Sequence, residues 1–233
     1  MESARRHPDI LIFRYTLRES MGLVITAIAL FWSAGRLDWW AAWATLALLA
    51  GWVAATGIVI LRYNPDLLKE RLGPRRGAKR WDTAIIGALG LIELARYIIA
   101  GLDQRYGWTG DFPLTIQVCA FILCALGYAL FVWSTASNAY FSQVVRIQTE
   151  RGQKVVSTGP YHYVRHPGYA GAIIAELSVA VLLDSWAALA VSFICVVLLI
   201  IRTALEDRTL QGELDGYPEF SKVVQYRLAP GIW

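Results

Sequence analysis

Apolar residues run along this chain in six long blocks separated by polar segments of very different length, instead of recurring at one-sided helical or strand spacing. The blocks cover roughly residues 20–35, 39–61, 83–101, 113–135, 168–184 and 186–203. A helix needs about 20 apolar residues to cross the hydrocarbon of a bilayer, so these blocks predict membrane-spanning helices. The last two are short, and Asp184-Ser185 between them predicts a tight turn and a helical hairpin that either crosses or re-enters the bilayer. The expected fold is all-α: a polytopic membrane protein of about six helices, forming one domain over residues 1–233 with no internal repeat.

Composition agrees with the blocks. Of 233 residues, 56% are hydrophobic, and mean hydropathy is +0.44, too apolar for an ordinary soluble domain. The net charge of +4 is distributed in a way that predicts topology. Arg5, Arg6, Arg14 and Arg18 precede the first block. Arg62, Lys69, Arg71, Arg75, Arg76, Lys79 and Arg80 follow the second, and Arg146, Arg151, Lys154 and Arg165 follow the fourth. The opposite loops hold Arg36 and Arg105, offset by Asp38, Asp103 and Asp111. The basic side, with both termini, is therefore expected in the cytoplasm. Trp39, Trp40, Trp43, Trp108 and Trp186 stand near block ends, as interfacial aromatics do. No nucleic-acid-binding module is present. Cys119, Cys124 and Cys195 all lie in apolar runs without metal-ligand spacing, which predicts structural thiols and neither zinc nor a disulfide framework. The charged first twenty residues do not read as a cleaved signal peptide.

One polar segment stands apart: Gly159-Pro-Tyr-His-Tyr-Val-Arg-His-Pro-Gly-Tyr-Ala-Gly171. Pro160 and Pro167 push their preceding residues out of helical geometry, and the glycines let other atoms approach the backbone. That chemistry suits a ligand cradle; it also suits a helix boundary with Pro167 in the first turn. Ionisable residues inside the blocks need partners, because each costs at least ~2.5 kcal/mol in hydrocarbon. Glu93 and Arg96, three apart, are expected to pair with each other, while Glu176 has no local partner. Arg202 and Glu206 share a helical face at the cytoplasmic end of the last block. The tail, 204–233, mixes charge with Leu210, Leu214, Tyr217, Phe220, Val224 and Tyr226. It reads as an amphipathic segment over the cytoplasmic mouth.

Taken together, Gly159-Pro-Tyr161, Arg165-His-Pro-Gly-Tyr-Ala-Gly171, Glu206-Asp207, Gly216-Tyr217 and Tyr226-Arg-Leu-Ala-Pro230 resemble the isoprenylcysteine carboxyl methyltransferase family of membrane enzymes. The Asn64-Pro-Asp-Leu-Leu-Lys-Glu-Arg-Leu72 loop is similar to its bacterial members. The resemblance covers about 140–233 and implies S-adenosylmethionine as cofactor. It places cofactor contacts on Gln148, Gln153, Lys154, Val155, Val156, Tyr161, His166, Pro167, Gly168, Tyr169 and Glu206. It also implies Arg202 as the catalytic residue that handles the substrate, and a lipophilic or prenylated acceptor reached from the membrane lipids. The family's usual second glutamate is Asp207 here, and the N-terminal spans match poorly.

Methyl transfer from a sulfonium to a carboxylate needs positioning and charge management, not a general base. An arginine can hold the carboxylate, and a carboxylate can bind ribose hydroxyls or an ammonium. An amine acceptor would need a base, for which His162 or His166 is the candidate. The rival readings are a phospholipid amine methyltransferase, a sterol or steroid reductase using NADPH, and a non-enzymatic transporter or scaffold. Arg208, Lys222 and Arg227 make no evident phosphate-binding cluster for the reductase, and a transporter predicts repeat symmetry that the chain lacks.

Overall fold

A computed structural model describes the backbone of residues 2–73 and 77–233, with side chains from Ile10 onward. Arg75 and Arg76, which enter the charge argument, lie outside the described residues, and so do the side chains of Arg5 and Arg6. Among these residues the protein is all-helical, with α1 (Glu2–Ala34), α2 (Trp40–Tyr63), α3 (Pro65–Leu72), α4 (Arg80–Tyr106), α5 (Leu114–Ser137), α6 (Pro167–Leu182), α7 (Trp186–Glu213) and α8 (Tyr217–Val223). Five of them are long and apolar enough to cross a membrane. Their outer faces carry large apolar side chains such as Trp32, Leu91, Ile122 and Phe193, as lipid-facing surfaces do. α6 has 16 residues; at 1.5 Å per residue it is about 24 Å long, shorter than a ~30 Å hydrocarbon core.

The α6–α7 hairpin forms where the sequence predicts it. Asp184 turns the chain with φ 59°, and the Ser185 hydroxyl caps α7 by accepting from the Ala188 N–H at 3.0 Å. The Asp184 carboxylate accepts from the Phe112 N–H at 2.6 Å, which fastens the turn to the α4–α5 loop.

α5 and α6 make the most intimate helix pair. A Cβ on Gly127 would lie 2.6 Å from the Gly171 carbonyl oxygen, and one on Gly171 would lie 2.5 Å from that of Gly127. Backbones approach this closely only where both residues lack a side chain. The first turn of α6 is thereby held against the last turns of α5, with the cradle beside it.

Two features depart from the sequence expectation. α7 does not stop near residue 203 but runs to Glu213, so the first part of the tail is a rigid extension of the last span. Ala204–Glu213 contains no proline, and Thr203 and Asp207 are buried one turn apart on its inner face. That inner face is packed, so helical spacing continues past the apolar block. The second departure concerns Arg96. It pairs with Glu176 on α6, not with Glu93 on its own helix. Its guanidinium also lies 3.4 Å from the Ser192 hydroxyl on α7 and against the Tyr97 ring at 4.7 Å. Reaching across the helix interface lets one buried arginine join α4, α6 and α7, which an i,i+3 pair on one helix cannot do.

Candidate active site

The irregular stretch between α5 and α6, residues 138–166, forms one wall of the site and is pinned at several points. Asp82, in the first turn of α4, accepts from the Val145 N–H at 2.7 Å, and the Val145 carbonyl receives the Lys79 N–H at 3.0 Å. Glu70 of α3 grips Arg146 with two hydrogen bonds of 2.9 and 2.6 Å and accepts a third from Ser142 at 3.0 Å. These contacts, chiefly with the Arg146 guanidinium, hold the Glu70 carboxyl below its ordinary value.

The cradle and the tail are tied through Asp207, which is 1% exposed. Arg165 donates to both of its oxygens, at 2.8 and 3.1 Å. The same guanidinium donates to the carbonyls of Val224 and Gln225 at 2.8 and 2.7 Å. Arg227, Tyr217 and Gln211 add hydrogen bonds to Asp207 at 2.9, 2.9 and 3.0 Å. Backbone N–H groups of Arg165 and His166 donate to the carbonyls of Tyr226 and Arg227, both at 2.9 Å. The shorter acid of the Glu206-Asp207 pair is thus the hub that locks α8 and the C-terminal turn over the cradle. Burial, with Asp207 alongside, raises the Tyr217 phenol well above its usual range.

Above this hub lies a cavity of about 510 Å³, within the size range of small-molecule sites. It is bordered by Arg202 and by every residue to which the resemblance assigned a cofactor contact except Pro167. Pro167 stands at the first position of α6, between His166 and Gly168, which do border it. Gly168 is needed for shape: a Cβ there would meet the Phe141 ring at 2.6 Å. Gln148 is 1% exposed and its amide donates to the Tyr140 carbonyl at 2.8 Å. Its N–H donates to the Gln153 side chain at 2.7 Å. These two glutamines close a small loop and shape the wall. Tyr161 is buried, its hydroxyl accepting from Asn138 at 3.2 Å, and burial pushes its phenol up.

The chemistry gathers around three side chains. The Tyr169 hydroxyl donates to Glu206, and the Arg202 guanidinium lies over the Tyr169 ring at 5.2 Å. Arg202 donates through Nε to Asp82 at 2.6 Å and through Nη2 to the Gln143 carbonyl at 2.8 Å. Two of the five guanidinium N–H groups are therefore committed, and those on Nη1 have no partner among the described residues. The histidines are differently placed. His162 is exposed and does not border the cavity, while the His166 ring lies 3.3 Å from both Asp207 and the Tyr217 hydroxyl. Neither stands as an open general base.

Sequence reasoning did not place Arg71 or Phe141 at the cavity, nor Asp82 behind Arg202. Asp82 follows Lys79-Arg80 and looks like an acid favouring a helix N-terminus; nothing local marks a partner 120 residues away. Arg71 borders the cavity with its Nε lacking a hydrogen-bond partner. Burial lowers its pKa to about 10, which leaves it charged at neutral pH. No group of three or more metal-ligating side chains occurs among the described residues.

The cavity thus brings together the Glu206 carboxylate, the Tyr169 ring and an arginine with one uncommitted edge. No curated protein sequence matches the chain. Residues 118–212, from within α5 to the end of α7, match the isoprenylcysteine carboxyl methyltransferase (ICMT) family, the membrane methyltransferase family that the chain's motifs resemble.

Proposed function

We propose that the protein transfers a methyl group from S-adenosylmethionine to the carboxylate of a lipophilic acid, with a prenylcysteine-like acid as the family's acceptor class. The observation that carries this reading is the Arg202–Tyr169–Glu206 cluster, all three of which border the cavity. The cofactor, when bound, supplies a methyl group already activated by its sulfonium charge. The protein's part is to hold and orient. Glu206, kept in place by the Tyr169 hydroxyl, accepts hydrogen bonds from the cofactor's hydroxyl or ammonium groups. Tyr161, His166, Tyr169, the backbone at Gly168, and Gln153, Lys154, Val155 and Val156, which all border the cavity, would hold the cofactor.

Arg202 offers its Nη1 edge to the acceptor carboxylate. Asp82 and the Gln143 carbonyl fix the plane of the guanidinium, so little reorientation is needed when the acceptor arrives. The hub at Asp207 keeps the tail closed over the mouth and limits access of water, which strengthens each of these interactions. A carboxylate needs no deprotonation, in keeping with histidines that are exposed or already engaged. The basic end of the helices, and with it the mouth of the cavity and both termini, faces the cytoplasm by its lysines and arginines.

The test is methyl transfer from radiolabelled S-adenosylmethionine to membrane lipid extracts by purified protein. Label released as methanol by mild alkali marks a methyl ester and supports the reading. Alkali-stable label marks N-methylation and contradicts it.

A further inference from the structure

Among the described residues, four arginines border the cavity: Arg71, Arg146, Arg165 and Arg202. Three of them have an acid. Arg146 is paired with Glu70, Arg165 with Asp207 and Arg202 with Asp82. Arg71 forms no ion pair among the described residues, and Glu19, the acid nearest it on the cavity wall, is held by Arg18 at 3.0 Å. The one hydrogen bond from the Arg71 side chain runs from Nη2 to the Phe141 carbonyl at 3.3 Å. Nη1 has no partner among the described residues and, unlike the enclosed Nε, keeps accessible surface.

The position of this guanidinium is fixed. It lies over the Phe141 ring at 5.7 Å, and Arg18 donates to the Arg71 carbonyl at 3.0 Å. Phe141 is the ring for which Gly168 leaves room at the start of α6, so Arg71 stands on the cradle side of the cavity. The Tyr161 phenol, buried in the cradle, feels both Glu206 and Arg71, the first raising its pKa and the second lowering it. Arg202 is held by the carbonyl of Gln143, the next residue but one after Phe141. Two arginines thus brace against two carbonyls of one wall segment, and each keeps an Nη1 edge with two N–H donors for an anion. In the reading above the acceptor carboxylate takes the edge of Arg202. A second anion is left for Arg71, because a partly desolvated cation without a counter-charge is costly.

We propose that Arg71 receives the α-carboxylate at the amino-acid end of S-adenosylmethionine. The inference rests on the methyl-transfer reading and adds a binding residue from α3, outside the cradle and the tail. Lys154 also borders the cavity, but it is exposed, where water competes for its charge.

The experiment is calorimetric titration of detergent-purified protein with S-adenosylhomocysteine and with its decarboxylated analogue, which keeps the adenosine and the amine. The readout is the ratio of the two affinities within each protein. Native protein should favour S-adenosylhomocysteine by at least about tenfold. Arg71→Gln should lose most of that preference while binding the decarboxylated analogue within about threefold of native, which also shows that the site is folded. Arg71→Lys should keep part of the preference, since it retains the charge and not the planar fork, and it serves where Arg71→Gln does not fold. Lys154→Ala should keep all of it. Native protein that binds both ligands equally, a full preference in Arg71→Gln, an equal loss of both ligands in Arg71→Gln and Arg71→Lys, or loss of the preference in Lys154→Ala would overturn the proposal and leave the methyl-transfer reading standing. Failure of folded native protein to bind either ligand would overturn that reading, and this inference with it.

Discussion

Arg202 rests on Asp82, 120 residues away in sequence, through an Nε–Oδ1 hydrogen bond of 2.6 Å. The other oxygen of Asp82 holds the Val145 N–H, so one carboxylate sets both the arginine and the wall of the cavity opposite it. Asp82→Asn keeps a hydrogen-bonding side chain but removes the charge that fixes the guanidinium. Turnover should fall roughly 10–100-fold, with little change in affinity for S-adenosylhomocysteine. Initial rates beside calorimetry separate the two effects; an equal loss in both would show that Asp82 acts only on the fold.

The contact between Gly127 and Gly171 makes a steric prediction. Gly171→Ala places a methyl group where the Gly127 carbonyl stands and should destabilise the protein by about 1–3 kcal/mol. Gly87→Ala, which meets nothing within 4 Å, should be neutral or slightly stabilising, as alanine replaces glycine in a helix. Thermal unfolding in one detergent, with all three proteins side by side, checks the ordering.

Arg96 and Glu176 are a buried pair between helices. Arg96→Leu leaves the carboxylate without its partner and should cost about 3–5 kcal/mol. Arg96→Leu combined with Glu176→Leu should recover most of that loss. A double variant as unstable as Arg96→Leu alone would mean that the pair contributes through packing and not through its charges.

The Glu70–Arg146 pair makes stability depend on acid. The folded-state pKa of Glu70 lies below its ordinary value of 4.5, chiefly through Arg146. Its contribution is therefore complete above pH 4.5 and is lost as pH falls through the lowered value. Glu70→Gln should unfold at lower temperature than native protein at pH 7, and the gap should narrow as pH is brought below 4. A gap that is constant with pH would remove the charge from the explanation.

The spans were legible because lipid leaves their outer faces apolar, and the hairpin because Asp184-Ser185 interrupts one long apolar run. The helix boundary at Pro167 was legible for a local reason as well: Pro160, Pro167 and the glycines dictate backbone geometry within a few residues. What the sequence hid is pairing at long range. Arg96 had an obvious neighbour in Glu93, and helical spacing alone favoured it; only the packing of α4 on α6 and α7 presents Glu176 as the better partner. Asp82 looked like a solvated first-turn acid for the same reason. The end of α7 was hidden differently, since the extension past residue 203 is held by buried polar contacts at Asp207, which hydropathy does not register.

The central claim is that Glu206 belongs to the cofactor and Arg202 to the acceptor. Calorimetric binding of S-adenosylhomocysteine to native protein, Glu206→Ala and Arg202→Ala tests it most directly. The account predicts roughly micromolar binding by native protein, at least about tenfold weaker binding by Glu206→Ala, and affinity within about threefold of native for Arg202→Ala, which should nevertheless be inactive. No binding to folded native protein, or equal loss in both variants, would contradict it.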